Sequence, residues 1–139
     1  MSKDRLAKLR ERLAKHKLDA IFISSPETNS PVNRRYLSGF TGTSAYLLIS
    51  HDDAVIATDF RYYEQAAQQA SGFRLLKAVG ASDTWLPELL AGLGGKRLAF
   101  ESANISYQGY RILRKAVQSL DELKRPKLVA TTNIVEAIR

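Results

Sequence analysis

The chain has 139 residues, 45% of them hydrophobic and 25% charged, with a net charge of +7; this composition excludes disordered, collagen-like and coiled-coil proteins and suits one domain around one core. The absence of Cys rules out disulfides, zinc–thiolate and iron–sulfur sites and cysteine nucleophiles, and two His, His16 and His51, are too few for a histidine-rich metal centre. No apolar run approaches the roughly 20 residues of a membrane-spanning helix, and the N-terminal stretch is charged where a signal peptide is apolar, so a soluble, cytoplasmic protein is expected.

The basic charge is concentrated at the start. Residues 3–17 hold seven Lys or Arg against Asp4 and Glu11, a net of +5, which leaves +2 for the rest of the chain. Leu6, Leu9 and Leu13 recur at three- and four-residue steps, predicting an amphipathic helix with one apolar stripe and a solvated basic face. Residues 18–24, LDAIFIS, read as a first buried strand. Residues 25–43 then read as a long polar connection containing Pro26, Pro31, Gly39 and Gly42, and a structureless stretch of that length is usually functional or partner-facing.

Residues 45–49 and 54–57 are apolar runs flanking Ser50, His51, Asp52 and Asp53, which predicts a hairpin. Asp59 is placed to cap a helix whose apolar stripe is Tyr63, Ala66, Ala67 and Ala70, ending at Gly72. A strand over 73–79 follows, then a helix that begins near Ser82, Asp83 or Thr84, with Pro87 in its first turn and Gly94 and Gly95 as its stop. Residues 97–101, RLAFE, form the next strand. Ser106 caps another helix, with Ile105 and Tyr110 at the positions of a hydrophobic staple and Pro126 closing it. Residues 127–131 are a last strand, and 133–139 begin a helical turn with neither cap nor stop, as in a chain cut from something longer. A hairpin followed by strand–helix alternation predicts an α/β fold, a three-layer domain with a mixed β-sheet flanked by helices.

Few residues present chemistry. Gly39-Phe40-Thr41-Gly42 has the GXXG spacing of nucleic-acid-binding loops but precedes a strand, so its glycines are read as positive-φ turn residues. Asp59 and Glu101 both end strands, and paired carboxylates there would hold a divalent metal, as in a metal-dependent nuclease. Against that stands Asp59 as a helix cap and Glu101 as one end of a surface ion pair. No G-x-S-x-G elbow is present, and His51, Asp52 and Asp53 read as a turn. Arg34, Arg35, Tyr36, Phe40, Arg61, Tyr62 and Tyr63 are of the types that anchor protein interfaces, or else core. Residue chemistry alone thus leaves a stand-alone metal-dependent nuclease and a basic binding module as open readings.

Residues 33–44, NRRYLSGFTGTS, followed by residues 58–66, TDFRYYEQA, resemble the N-terminal domain of the creatinase, prolidase and Xaa-Pro aminopeptidase family. The opening helix leading into LDAIFIS and the later LAFESANISY resemble it too, in the same order and over nearly the whole chain. The resemblance implies that residues 1–139 are a single ribonuclease-H-like α/β domain, in front of a pita-bread catalytic domain expected beyond residue 139. It implies two divalent metals, Mn, Co or Zn, held by that catalytic domain, so this chain contributes no catalytic and no metal-binding residue. The full-length protein is expected to be a cytoplasmic, dimeric metallopeptidase acting on the bond before a proline at position two, with neither nucleic acid nor membrane as partner. By the same resemblance Phe40, Arg61 and Tyr62 are the residues expected to shape substrate access or an interface.

Overall fold

The computed structural model describes residues 2–27 and 29–139. The leucine spacing does what it predicts: Leu6, Leu9 and Leu13 of α1 (Ser2–Lys15) are all buried. The basic face is less solvated than its composition suggests. Arg5 donates to Tyr36 O at 2.8 Å, Arg10 to Ser50 O at 2.8 Å and Asp53 O at 3.1 Å, and Arg12 to Asn133 O at 2.7 Å. These three arginines tie α1 to a second helix, to the hairpin tip and to the C-terminal segment through backbone carbonyls that no local sequence signal reveals.

Six strands form one sheet in the order β4-β3-β2-β1-β5-β6. Central β1 (Ala20–Ser25) is antiparallel to β2 (Ala45–Ser50) and parallel to β5 (Arg97–Glu101). Strand β3 (Ala54–Thr58) is antiparallel to β2 and parallel to β4 (Arg74–Lys77), and β6 (Lys127–Thr131) is parallel to β5. Only β2 runs against the others, because the connection after β1 reverses the chain once, the β2–β3 hairpin reverses it again, and the helical crossovers that follow keep the remaining strands parallel. Side chains alternate across the sheet. Ile21, Ile23, Leu47, Ile49 and Ile56 pack under α1, α2 (Val32–Ser38) and α3 (Tyr63–Gln69), while Phe22, Leu48, Val55, Leu98 and Phe100 pack under α4 (Ser82–Leu90) and α5 (Tyr107–Gln118). The result is the three-layer α/β architecture expected, with a core on each face.

Four expectations change. The polar connection contains α2, stopped by Gly39 in the left-handed region at φ 79° with its N–H on Arg35 O. The inner face of α2 carries Asn33, Arg34, Leu37 and Ser38, so apolar periodicity cannot reveal it. Pro87 lies inside α4 rather than in its first turn, so the Asp83 carbonyl receives no helical N–H. α5 ends at Gln118, well before Pro126, where Arg125 donates to Gln118 O at 2.9 Å and to Leu120 O at 2.8 Å. In α3, Ala66 and Ala70 are buried as expected but Ala67 is exposed. After β6 the chain crosses back under α1, burying Ile134 and Val135, and makes a 3-10 turn at Glu136–Ile138, where Tyr36 donates to Ile138 O at 2.8 Å.

Candidate functional site at the C-terminal sheet edge

The last residues of β1, β3, β5 and β6 lie along one edge, where open α/β sheets generally place binding sites. One polar cluster there is built on Asp59. Thr58 closes β3 with its hydroxyl donating to Ser44 O at 2.8 Å, and the extended backbone of Asp59 lets its carboxylate accept from Arg61 N at 3.1 Å. The guanidinium of Arg61 then grips the same carboxylate with two bonds, Nε at 2.8 Å and Nη2 at 3.0 Å, and also meets Glu27 Oε1 at 2.8 Å. The hydrogen bond from Arg61 is the main reason that the Asp59 carboxyl is held below its ordinary value.

Arg61 lies over the ring of Tyr62, 5.0 Å from its centroid, and the Tyr62 hydroxyl shares a hydrogen bond with Thr43 Oγ1. Beneath them Phe40 meets Tyr62 edge-to-face at 5.5 Å. Exposed ion pairs of this kind contribute little to stability; what they do here is fix the direction of one cation and one phenol at the surface. Asp59 does cap, but the element it caps is the 3-10 turn Phe60–Tyr62 and not α3, which follows without a side-chain cap; Arg61 and Tyr62 are brought together at the surface.

Phe40 is a correction. It is 0% exposed, so its side chain reaches neither a substrate nor a partner and acts only by supporting Tyr62. Arg34, also an interface candidate, is 1% exposed; it donates to Gly42 O and lies 5.5 Å from the Phe40 ring centroid, and burial, its largest influence, lowers its pKa to about 10. Gly42 does not have the positive φ expected of it; the space a side chain would need is filled by the Phe40 ring. Tyr36 and Tyr63 are half-buried and Arg35 is exposed. At the hairpin tip His51 bonds Leu18 O at 3.0 Å and Asp53 pairs with Arg74 at 2.9 Å, so these residues build the turn. Glu27 and Thr43 complete the cluster without any sequence signal, since nothing in their spacing points to Arg61.

A second cluster corrects Glu101. It is no surface ion pair: it is 8% exposed and accepts from the side-chain amides of Asn33 and, at 3.3 Å, Asn104. Asn104 also donates to Glu136 Oε2 at 3.2 Å, joining the end of β5 to the C-terminal turn. Burial pushes the Glu101 carboxyl above its ordinary value, against the hydrogen bonds from the two asparagines. On Glu136 burial also acts upward, but the backbone bond and the same asparagines together hold it below its ordinary value.

The signs of these two shifts are opposite. Glu101 contributes fully below the ordinary carboxyl value of 4.5, and its contribution is lost as pH rises through its raised folded value; Glu136 contributes above 4.5 and loses it as pH falls. Replacing Glu101 with Gln is expected to remove the fall in stability that follows its ionisation, which urea unfolding at several pH values between about 4 and 7 measures. A slope equal to that of the unaltered chain over that range would contradict the buried placement.

Asp59 and Glu101 do not form a carboxylate pair. β2 and β1 lie between their strands, which separates the strand ends by about 14 Å at the usual spacing. Among the described residues no three His, Asp or Glu side chains converge. The residues present therefore do not fit the metal pair of the resemblance, whose ligands the resemblance itself assigns to another domain.

Residues 5–139 match the family model described as the Creatinase/Prolidase N-terminal domain. The chain belongs to that family. It is 32% identical over 135 residues to the Bacillus subtilis uncharacterized peptidase YqhT, a match that covers 97% of the chain and 35% of the relative. The N-terminal domain of the cytoplasmic peptidase PepQ from Mycobacterium tuberculosis superposes with a TM-score of 0.80 at 35% identity, covering 98% of both chains. The Xaa-Pro dipeptidase from Bacillus anthracis superposes with a TM-score of 0.84 at 29% identity, over 100% of this chain and 36% of that one. The chain thus spans about a third of the length of YqhT and of the dipeptidase. In family terms it is the N-terminal domain of Xaa-Pro peptidase family proteins, and both polar clusters belong to that domain's sheet edge.

Proposed function

We propose that this chain is the non-catalytic front domain of a cytoplasmic Xaa-Pro peptidase, where it supports dimer formation and shapes access to an active site on a following pita-bread domain. Two divalent metals, Mn, Co or Zn, in that catalytic domain would activate the water that attacks the bond before proline. The observation that carries the part played by this chain is the Asp59–Arg61–Tyr62 cluster: an oriented cation and phenol at the C-terminal sheet edge, held by Glu27 and Thr43 and backed by buried Phe40. A fixed guanidinium at the rim suits a short peptide and disfavours a long chain passing through: Asp59 and Glu27 occupy its Nε and Nη2, which leaves Nη1 to meet the peptide's terminal carboxylate. The cytoplasmic location is supported by the name of the mycobacterial relative, and no helix among the described residues is long and apolar enough to cross a membrane.

Two experiments test this. In the full-length protein, Arg61→Ala is expected to raise KM for an Xaa-Pro dipeptide several-fold with little change in kcat, or to weaken the dimer on size exclusion; unchanged KM and unchanged oligomeric state would remove Arg61 from the site. The 139-residue chain by itself is expected to show no turnover of Xaa-Pro peptides. Turnover that survives both Asp59→Asn and Glu101→Gln would overturn the non-catalytic assignment.

A further inference from the structure

Arg34 is the most deeply buried charged residue among those described, 1% exposed against 8% for Glu101. Nothing around it offsets the charge. No carboxylate pairs with it among the described residues, where the ion pairs join Arg61 and Arg74 to Glu27, Asp59 and Asp53. Its Nε is sealed from solvent without an acceptor, and burial, followed by the charge of Arg35, lowers its pKa to about 10. A guanidinium placed in this way weakens a fold, and an apolar side chain of similar length would fill the same space without the desolvation.

The bond that Arg34 does make runs from Nη1 to Gly42 O, in the segment that carries α2 into β2. Side chains hold this segment on either side of that carbonyl. Ser38 Oγ accepts from Phe40 N at 3.1 Å, Gln69 Oε1 accepts from Thr41 N at 2.9 Å, and Thr58 Oγ1 donates to Ser44 O at 2.8 Å. Between these ties lies the peptide joining Gly42 to Thr43. Its planarity couples the direction of Thr43 to that of the Gly42 carbonyl, and a residue without Cβ lets such a plane rotate more freely than any other. Thr43 Oγ1 shares its hydrogen bond with the Tyr62 hydroxyl and reaches Glu27 Oε1 at 3.4 Å, and Glu27 in turn holds Arg61 at 2.8 Å. Rotation of this one peptide would therefore undo the Tyr62 link at the rim and leave the core packing in place.

We propose that Arg34 is a positioning residue for the rim: by holding the Gly42 carbonyl it fixes the Gly42–Thr43 peptide plane, and through Thr43 it fixes the Tyr62 phenol and the Glu27 carboxylate that steadies Arg61. The charge serves this role, because a hydrogen bond from a charged donor is stronger than one from a neutral donor, and at a site sealed from water no solvent competes for the carbonyl. Arg34 itself touches neither substrate nor partner. Its bearing on peptide access rests on the function proposed above, whereas the positioning of Thr43 and Tyr62 does not.

The experiment compares the 139-residue chain with its Arg34→Met and Arg34→Lys variants by NMR, following the Thr43 amide and the nuclear Overhauser contact between the Thr43 side chain and the Tyr62 ring. In Arg34→Met this contact is expected to fall at least about three-fold and the Thr43 amide to broaden through microsecond-to-millisecond exchange, while the contact between Phe40 and Tyr62 persists. Arg34→Lys, which keeps a charged donor, is expected to restore at least about half of the Thr43–Tyr62 contact. An undiminished contact in Arg34→Met would overturn the proposal. A loss in Arg34→Lys as large as that in Arg34→Met would assign the effect to packing and overturn it too. If Arg34→Met does not fold, Arg34→Gln, whose amide nitrogen ends at the position of Nε, is read in the same way. In the full-length protein Arg34→Met is expected to raise KM for an Xaa-Pro dipeptide several-fold at nearly constant kcat, as expected for Arg61→Ala. Loss of the Thr43–Tyr62 contact with an unchanged KM would uphold Arg34 as the positioning residue and refute the part given to the rim in peptide access.

Discussion

Phe40→Ala is expected to destabilise the domain by about 3–5 kcal/mol, the usual range when a buried aromatic side chain is truncated. The ring is 0% exposed, lies among the side chains that join α2 and α3 to the sheet, and has Tyr62 on its edge and the Arg34 guanidinium nearby. Removing it leaves a cavity and also exposes Arg34 to worse solvation, since this guanidinium has one backbone acceptor, Gly42 O, and an Nε without partner. Urea unfolding measures the loss, and a change below about 1 kcal/mol would mean that the pocket collapses around the missing ring. Because Tyr62 rests on Phe40, the same substitution in the full-length protein is expected to reproduce the phenotype of Tyr62→Ala at the rim, although Phe40 itself touches nothing outside the domain.

Gly42→Ala is expected to cost about 1–3 kcal/mol, the range for overpacking, despite adding a single methyl group. A Cβ at this position would fall within the Phe40 ring, with Cε2 at 2.8 Å and Cε1 at 2.9 Å, and a fully buried ring has no vacant rotamer to enter. The conflict is steric and not conformational, since Gly42 is not among the residues with positive φ. A double-mutant cycle isolates it: in the Phe40→Ala background the Gly42→Ala substitution is expected to cost less than about 1 kcal/mol, because the atoms it meets are gone. Equal costs in both backgrounds would place the strain in the backbone. By contrast Gly39, at φ 79°, is held by conformation, and its substitution is expected to be insensitive to Phe40.

The parts of the fold that were legible in the sequence are those whose cause is local. β5 and β6 occupy residues 97–101 and 127–131 as predicted, the hairpin lies where two apolar runs flank a polar turn, and Asp59 and Ser106 cap as their positions require. The family was legible in residues 33–44 and 58–66 and is confirmed over residues 5–139. α2 was not legible, because its inward face is Asn33, Arg34 and Ser38 around one leucine, and a helix that buries polar groups carries no apolar period. The end of α5 was not legible either, because Arg125 satisfies the carbonyl of its last residue, Gln118, from beyond the helix.

At the site, Asp59, Arg61 and Tyr62 could be read together because they are neighbours in one turn, whereas Glu27 and Thr43 join them only across the sheet edge. Glu101 shows the same division. Its place at the end of a strand follows from RLAFE, but its burial follows from α2 and the C-terminal turn closing over it with Asn33 and Asn104. By itself, then, the sequence determined the strands, the caps and the mixed three-layer architecture, which follow from periodicity and nearest-neighbour hydrogen bonding, and the family, which follows from the resemblance carried by residues 33–44 and 58–66. Only the tertiary structure decided that Phe40 and Arg34 are interior, that Glu101 is a buried carboxyl, and that Asp59 and Glu101 lie strands apart. Those properties depend on desolvation and on contacts between distant segments, and a linear pattern of residue types carries neither.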